Sequence, residues 1–359
     1  MNNFTFQVTT DIRFGKDRLN ELPEVLNTFG KNVLLVYGGG SIKKSGLYDQ
    51  VMAQLQNNDN QVTELAGVEP NPRIETVAKG AELCRTEKID VILAVGGGSV
   101  IDCSKVIAGA ACSEEDPWTL VTKRSYQGPA LPLVTVLTLA ATGSEMNRGA
   151  VITNLTAKQK LGVHGPNFLP KVSFLDPTWT FSVNRYQTAA GSADIMSHLI
   201  ENYFSTTENT DVQDGIAEGL LKAVITNLPI ALDTPDDYDA RANLMWASTL
   251  ALNGLTGSGK AGAWSCHPME HELSAFYDIT HGIGLAILTP RWMLHVLNET
   301  TAPKLARFAR EVFQVEEAVP EMAARMGIQK LYDFFLACGI PMTLPEVGIE
   351  DDRHFEEMA

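Results

Sequence analysis

Asp194 and His198 stand four residues apart in Ala-Gly-Ser-Ala-Asp-Ile-Met-Ser-His-Leu-Ile-Glu-Asn-Tyr. The segment reads as a helix, so both side chains leave one face a turn apart, a spacing that can place two metal ligands. His267 and His271 repeat the spacing in Cys-His-Pro-Met-Glu-His-Glu-Leu, and His281 opens another apolar stretch in Asp-Ile-Thr-His-Gly-Ile-Gly. One carboxylate and up to four imidazoles are therefore available in a chain with seven histidines. A solitary Asp-x3-His is commonplace in soluble helices; three of the seven histidines within residues 267–281, with two pairs at helical spacing, is not. Pro268 suits a first helical turn, which puts His267 at a helix entrance.

A second kind of chemistry belongs to Gly38-Gly-Gly-Ser41 and Gly96-Gly-Gly-Ser99, each of which follows an apolar strand and opens a helix. Neither is the GxGxxG fingerprint. Glycine lets a backbone turn sharply and approach a ligand closely, and the free N–H groups of a helix start attract an anion. One such turn is adequately explained as a tight strand-to-helix connection. Two, at the carboxyl ends of strands in one sheet, favour a phosphate-bearing ligand in the crevice where open α/β sheets bind nucleotides. The first turn has no carboxylate to repel a 2'-phosphate; Ser41 offers a hydroxyl, and Lys43 and Lys44 offer positive charge or else a solvated helical turn.

The elements that must position these residues change character along the chain. Up to about residue 180, β-branched runs alternate with amphipathic segments. Strands are predicted at Asn32–Tyr37, Val62–Leu65, Asp90–Val95, Leu133–Leu137, Ala150–Thr153, Lys160–Val163 and Val172–Leu175, the pair at 150–163 as a hairpin. Helices are predicted over Ser41–Gln56, Ile74–Arg85 and Ser99–Ala110. Such alternation implies a parallel sheet covered by helices. Beyond Asp176-Pro177 the strand signal ends, and Tyr186–Phe204, Asp211–Asn227, Tyr238–Asn253, Gly284–Val296 and Ala302–Phe313 read as helices. The expectation is an α/β fold: residues 1–180 a Rossmann-like parallel-sheet dinucleotide-binding domain, residues 181–359 an all-helical domain for metal and substrate.

At 359 residues, two domains are the default, and 45% apolar with 20% charged residues is ordinary globular composition. A formal net charge of -15 without a Lys/Arg run argues against a nucleic-acid partner. Leu131 to Ala141, the longest nearly apolar run, is too short to span a bilayer, and Met-Asn-Asn-Phe-Thr-Phe has no secretory character. Five cysteines without a CxxC pair fit a reducing cytoplasm.

In order along the chain, Phe14-Gly15, Gly38-Gly-Gly-Ser-Ile-Lys, Glu69-Pro-Asn-Pro72, Gly96-Gly-Gly-Ser-Val-Ile-Asp102, Ala141-Thr-Gly-Ser-Glu145, Asp194-x3-His198, Arg241-Ala-Asn-Leu-Met-Trp246, His267-x3-His271 and His281-Gly resemble the iron-containing, group III alcohol dehydrogenases. The likeness is greatest to their NADPH-dependent butanol dehydrogenase and aldehyde reductase branch, and it covers essentially the whole chain. It implies the dehydroquinate synthase-like fold and a divalent ion, Fe(II) or Zn(II), on Asp194, His198, His267 and His281, with His271 left behind those ligands or on the nicotinamide side; its place near His267 suits a proton relay or a pocket wall. It also carries dinucleotide contacts to Gly39, Ser41 and Asn71, to Gly97, Gly98, Ser99 and Asp102, and to Thr138, Thr142, Asn147 and Lys160. The glycine and serine form of the first turn looks like the NADP(H) type. A homodimer is implied, as is reduction of a short- to medium-chain aliphatic aldehyde, or oxidation of the matching alcohol. The family usually continues past Ala359, so its closing helix is expected to be absent or truncated here; Cys266, no ligand in the family, reads as packing.

Four protein ligands make a closed set for a structural zinc, so catalysis needs a further position for substrate, which iron(II) offers readily. Trp264, Phe276 and Tyr277 suggest an apolar pocket, unless they are core. Other readings are an NAD-dependent polyol dehydrogenase of the same fold, a metal-dependent lyase or cyclase of the dehydroquinate synthase kind, and a non-catalytic nucleotide-binding role. The lyases typically use Glu-His-His with a basic cluster for an acidic substrate. Asp-His-His-His without that cluster disfavours them.

Overall fold

The computed structural model describes residues 1–262 and 264–358. Contacts divide it into two compact units, one of Gln7–Ser182 and one of Met1–Phe6 together with the chain from Val183 onward.

The first unit contains strands β1 (Asp11–Phe14), β2 (Asn32–Tyr37), β3 (Gln61–Ala66), β4 (Val91–Gly96), β5 (Leu133–Leu137), β6 (Gly149–Asn154), β7 (Gln159–His164) and β8 (Val172–Leu175). Its helices are α1 (Leu22–Asn27), α2 (Ser41–Lys44), α3 (Leu47–Asn57), α4 (Ile74–Thr86), α5 (Gly98–Ala111) and α6 (Pro117–Thr122). Six strands form one parallel sheet in the order β1-β8-β5-β4-β2-β3, and β6 with β7 forms a separate antiparallel hairpin. The runs Val33–Tyr37, Val91–Gly96 and Leu133–Leu137 are buried throughout, as parallel strands covered on both faces must be.

From β2 the chain crosses to β3 on one side and then returns to β4 on the other. The direction of winding therefore reverses between β2 and β4, and a crevice opens at their carboxyl ends. Both triple-glycine turns sit there. Two local features depart from the sequence reading. The helix predicted over 41–56 is two helices, α2 and α3, because Gly46 adopts φ 79 between them. β1, a half-exposed edge strand of four residues with Asp11 and Arg13 in it, gave too short and too polar a signal to be read.

The second unit contains α7 (Arg185–Tyr203), α8 (Asp211–Asp233), α9 (Tyr238–Ala251), α10 (Cys266–Tyr277), α11 (His281–His295), α12 (Ala302–Phe313), α13 (Pro320–Ala337) and α14 (Phe355–Met358). α7 is the hub: every residue from Thr188 to Glu201 is buried, and the helix packs against α8, α9 and α11. Small residues allow that. A Cβ added to Gly282 at the start of α11 would lie 1.9 Å from the Ala190 carbonyl oxygen, so only glycine lets α11 enter this close to α7. α13 escaped the sequence reading; Val319, Met322 and Met326 are exposed beside its buried stripe and blur the helical pattern. α8 runs through Pro229 to Asp233, beyond the expected end at Asn227.

Among the described residues, α8 is the one helix long and apolar enough to cross a membrane by length and composition. Here it packs on α7, α9 and α12 and buries Asp214, whose carboxylate accepts hydrogen bonds from Lys260 at 2.7 Å and from Lys304. The first residues of the chain belong to this unit. Asn2 N–H donates to the Gly259 carbonyl at 2.8 Å, and Phe4 lies over Gly259 as Phe6 does over Gly254.

Candidate active site

α7 brings Asp194, His198 and Glu201 to one face at i, i+4 and i+7. Asp194 Oδ1 lies 3.5 Å from His198 Nε2 and 3.8 Å from Nε2 of both His267 and His281. Nitrogen ligands about 2.0–2.1 Å from a tetrahedral ion stand about 3.4 Å apart, so this spacing has room for one cation. Asp194, His267 and His281 bring ligand atoms within 4.8 Å of one another, and His198 joins through its approach to the same carboxylate oxygen.

Asp194 Oδ1 and His267 Nε2 are buried and make no hydrogen bond. A buried carboxylate oxygen facing imidazole nitrogens with nothing to bind is unfavourable, and a divalent cation between them removes the conflict. The donor set thus fits a divalent metal. The fields inside the pocket agree. Burial pushes the His198 imidazole down to about 4. At His267 burial acts the same way, but the Asp194 and Glu201 carboxylates outweigh it and raise the ring to about 9. Burial alone would raise Asp194; the three imidazoles hold it well below the usual carboxylate range.

Two carboxylates that the sequence reading passed over support these side chains. Glu201 accepts a hydrogen bond from His267 Nδ1 and from the backbone N–H groups of Ser265 (2.5 Å), Cys266 (2.7 Å) and His267 (3.2 Å). It therefore caps α10 while fixing the ring that α10 carries. Glu270, fully buried, pairs with His281 Nδ1 and accepts from the Ser274 hydroxyl. With Nδ1 protonated against a carboxylate, each ring presents Nε2 to the pocket. Glu201 was legible as the third member of the Asp194 and His198 helical face; Glu270 was not, since its partner lies across a turn. Cys266 is fully buried and takes no part.

His271 stands beside this cluster. Its ring is 5.5 Å from His281 and 6.4 Å from His267, and it forms a separate trio with Glu270 and His281. The Trp264 ring lies 4.6 Å from His267 and 5.7 Å from His198, an apolar cover on two of the imidazoles. Phe276 and Tyr277 lie at the far end of α10 against His354, away from the ligand rings.

In the α/β unit the structure gathers Gly97, Gly98, Ser99, Asp102, Thr138, Thr142 and Asn147 around the start of α5. Thr138 N–H donates to the Gly96 carbonyl at 3.1 Å, and a Cβ on Gly98 would lie 2.4 Å from the Thr142 side chain. Only glycine allows that approach. Asp102 accepts from the Ser144 hydroxyl at 2.5 Å and from Val151 N–H at 2.8 Å. In the first turn Gly40 adopts φ 111 ahead of Ser41, and the space a Gly39 Cβ would occupy is open. Asn71, in the left-handed region at φ 52, precedes Pro72, whose carbonyl accepts from Thr153 N–H at 2.8 Å; Thr153 is the β6 residue opposite buried Lys160 on β7.

Lys43 is already engaged. Its ammonium lies 5.1 Å and 4.5 Å over the rings of Tyr37 and Tyr48, whose hydroxyls donate to Glu64 at 2.6 and 2.9 Å. That acidic group beside the turn comes from β3 and is invisible in the turn itself.

Residues 9–177 match the model of the iron-containing alcohol dehydrogenases, and residues 188–359 match the C-terminal model of the same family. NADH-dependent butanol dehydrogenase A of Clostridium acetobutylicum is 51% identical over 98% of this chain and 91% of its own length. NADPH-dependent aldehyde reductase YqhD of Escherichia coli is 39% identical over 98% of this chain and 90% of its own. The crystal structure of NADH-dependent butanol dehydrogenase A from Thermotoga maritima superposes with a TM-score of 0.95 at 40% identity, covering 100% of this chain and 89% of that one. Whole-length likeness of this order, with an Asp/His cluster suited to a divalent metal and glycine turns suited to a nicotinamide dinucleotide, leaves one assignment: the chain belongs to the iron-containing alcohol dehydrogenase family.

Proposed function

We propose that this alcohol dehydrogenase works chiefly as a reductase of short- to medium-chain aliphatic aldehydes, with NADPH as hydride donor and one divalent ion, Fe(II) or Zn(II), held by Asp194, His198, His267 and His281. The observation that carries the reading is the convergence of three Nε2 atoms on the unpaired Asp194 oxygen. A cation there supplies Lewis-acid polarisation of the substrate oxygen. The chain's own groups do the rest. Glu201 and Glu270 keep the ligand rings in the tautomer that faces the pocket, Trp264 excludes water from one side of them, and half-buried His271 is placed to exchange the substrate proton with solvent. Gly39, Ser41 and Asn71 serve the adenosine side of the dinucleotide, the α5 turn its diphosphate, and Thr138, Thr142, Asn147 and Lys160 its nicotinamide half.

NADPH is supported by the absence of a carboxylate in the Gly38–Ser41 turn and by Lys44, which is exposed. A second reading, NADH, is favoured by Lys43 being held over Tyr37 and Tyr48 with Glu64 behind them, and by the names of relatives about half identical to this chain. Initial rates of butyraldehyde reduction with each dinucleotide, before and after chelation and with Fe(II) or Zn(II) restored, test both. Metal-dependent turnover with higher kcat/KM for NADPH supports the proposal, higher kcat/KM for NADH selects the second reading, and a folded, metal-loaded protein without turnover overturns both. A homodimer on size-exclusion chromatography is the expected assembly.

A further inference from the structure

Lys105 is fully buried in α5, one turn beyond Asp102. Its ammonium donates to three neutral acceptors at once: Ser144 Oγ at 2.8 Å, Asn147 Oδ1 at 3.0 Å and the Gly149 carbonyl at 2.7 Å. All three lie on the segment that leads from Thr142 into β6. The bonds continue outward. The Ser144 hydroxyl donates to Asp102 at 2.5 Å, and Ser144 N–H donates to Thr142 Oγ1 at 3.2 Å. The Asn147 oxygen also accepts Gly149 N–H at 2.9 Å, while its amide nitrogen donates to the Gly143 carbonyl at 2.9 Å. With the oxygen taken by Lys105, the amide of Asn147 has one orientation.

We infer that Lys105 is a positioning residue for the dinucleotide, its ammonium holding residues 142–149 in register with the start of α5 so that Asp102, Thr142 and Asn147 present one fixed surface. Only an ammonium has three donors on a single atom, so no neutral side chain of that length reaches all three acceptors. Arginine, with a broad planar fork, does not fit a cavity closed around one nitrogen. The inference rests on the reading that Asp102, Thr142 and Asn147 serve the dinucleotide.

The charged groups facing the ammonium are Asp102 on α5 and Glu145 in the turn that follows Gly143. Both favour its charge, but burial prevails and draws it down to about 8. Loss of the proton above that pH leaves two donors for three acceptors. Dinucleotide affinity should therefore weaken as pH rises through about 8, by a route that vanishes when the lysine is removed.

The test is equilibrium binding of NADH and of NADPH, followed by nicotinamide fluorescence, to full-length wild type, Lys105→Met and Ser144→Ala, with bound metal and melting recorded for each. Lys105→Met should weaken both dinucleotides by about tenfold or more and raise their KM, with kcat at saturation changing less than about threefold. It should also abolish the alkaline weakening seen in wild type. A folded Lys105→Met protein with wild-type affinity, or with the alkaline weakening intact, overturns the inference. If Lys105→Met does not fold, Ser144→Ala decides, a rise in Kd of about threefold or more supporting the positioning role and an unchanged Kd overturning it. Wild type that binds neither dinucleotide sinks the dinucleotide reading and this inference together.

Discussion

The two units solve the problem of a buried polar site by opposite means. In the helical unit the backbone is satisfied within its helices, so the chemistry is made of side chains. Asp194 and the imidazoles around it are backed by Glu201 and Glu270, and a separate carboxylate, Asp214, is matched by Lys260 and Lys304. In the α/β unit the site is largely backbone. Glycines open the starts of α2 and α5, and side chains such as Lys105 and Asn147 mainly hold segments in place. A compact charge is specified by residue identity; an extended anionic ligand is specified by chain path. Sensitivity to mutation should divide the same way.

The sharpest division comes from His267→Ala. Metal content should fall to background and turnover by about a thousandfold or more, with dinucleotide binding to the α/β unit unaltered; metal analysis beside fluorescence titration separates the two, and a parallel loss of both would erase the contrast. Next is Glu201→Gln, which leaves Asp194 and the three imidazoles in place and removes the carboxylate that backs the His267 ring and caps α10. Metal affinity should drop about 10- to 100-fold by competition with a chelator, and an unchanged affinity would mean that the backing carboxylate is idle.

Glycine substitutions test the other half of the contrast. Gly98→Ala pushes a methyl group into Thr142 and should weaken dinucleotide binding about tenfold with metal affinity intact. Gly282→Ala pushes α11 from α7 and should do the reverse, lowering metal affinity and destabilising the helical unit by about 1–3 kcal/mol in calorimetry. The smallest effect is acid sensitivity. Burial alone would raise Asp214, but hydrogen bonds from Lys260 and Lys304 outweigh it and hold the carboxyl below its usual 3.8. A depressed folded value means that its stabilisation is complete above about pH 4 and is lost as pH falls through that lower value. Wild type should therefore lose stability below pH 4 more steeply than Asp214→Asn, and equal slopes would count against a paired carboxylate there.

The alternation of elements and the change to an all-helical second half could be read from hydrophobic pattern, because buried parallel strands and amphipathic helices write different periods into the chain. The order of the strands could not, since it depends on which edge each crossover chooses, and that order is what puts both glycine turns at one crevice. Spacing alone exposed Asp194 with His198 and His267 with His271; their convergence with His281 needed Gly282 to admit α11, a contact with no local trace. Lys105 and Glu64 were invisible for a related reason. Each sits at an unremarkable helical or strand position, and its meaning comes from partners 16 to 44 residues distant.

Residues 1–6 belong to a unit whose remaining residues start only at Val183. Asn2 finds its partner at Gly259, so during synthesis this segment waits for roughly 250 further residues, on the order of tens of seconds at ribosomal speed. Gln7–Ser182, contiguous in sequence, has what it needs to close much earlier. The metal-binding half is thus assembled in two instalments, and Phe4 and Phe6, half exposed even in the finished unit, have no contact with it until the second. A nascent protein stalled before residue 259 would carry the whole of the parallel sheet with residues 1–6 still unanchored, the state in which a ribosome-bound chaperone has most to do.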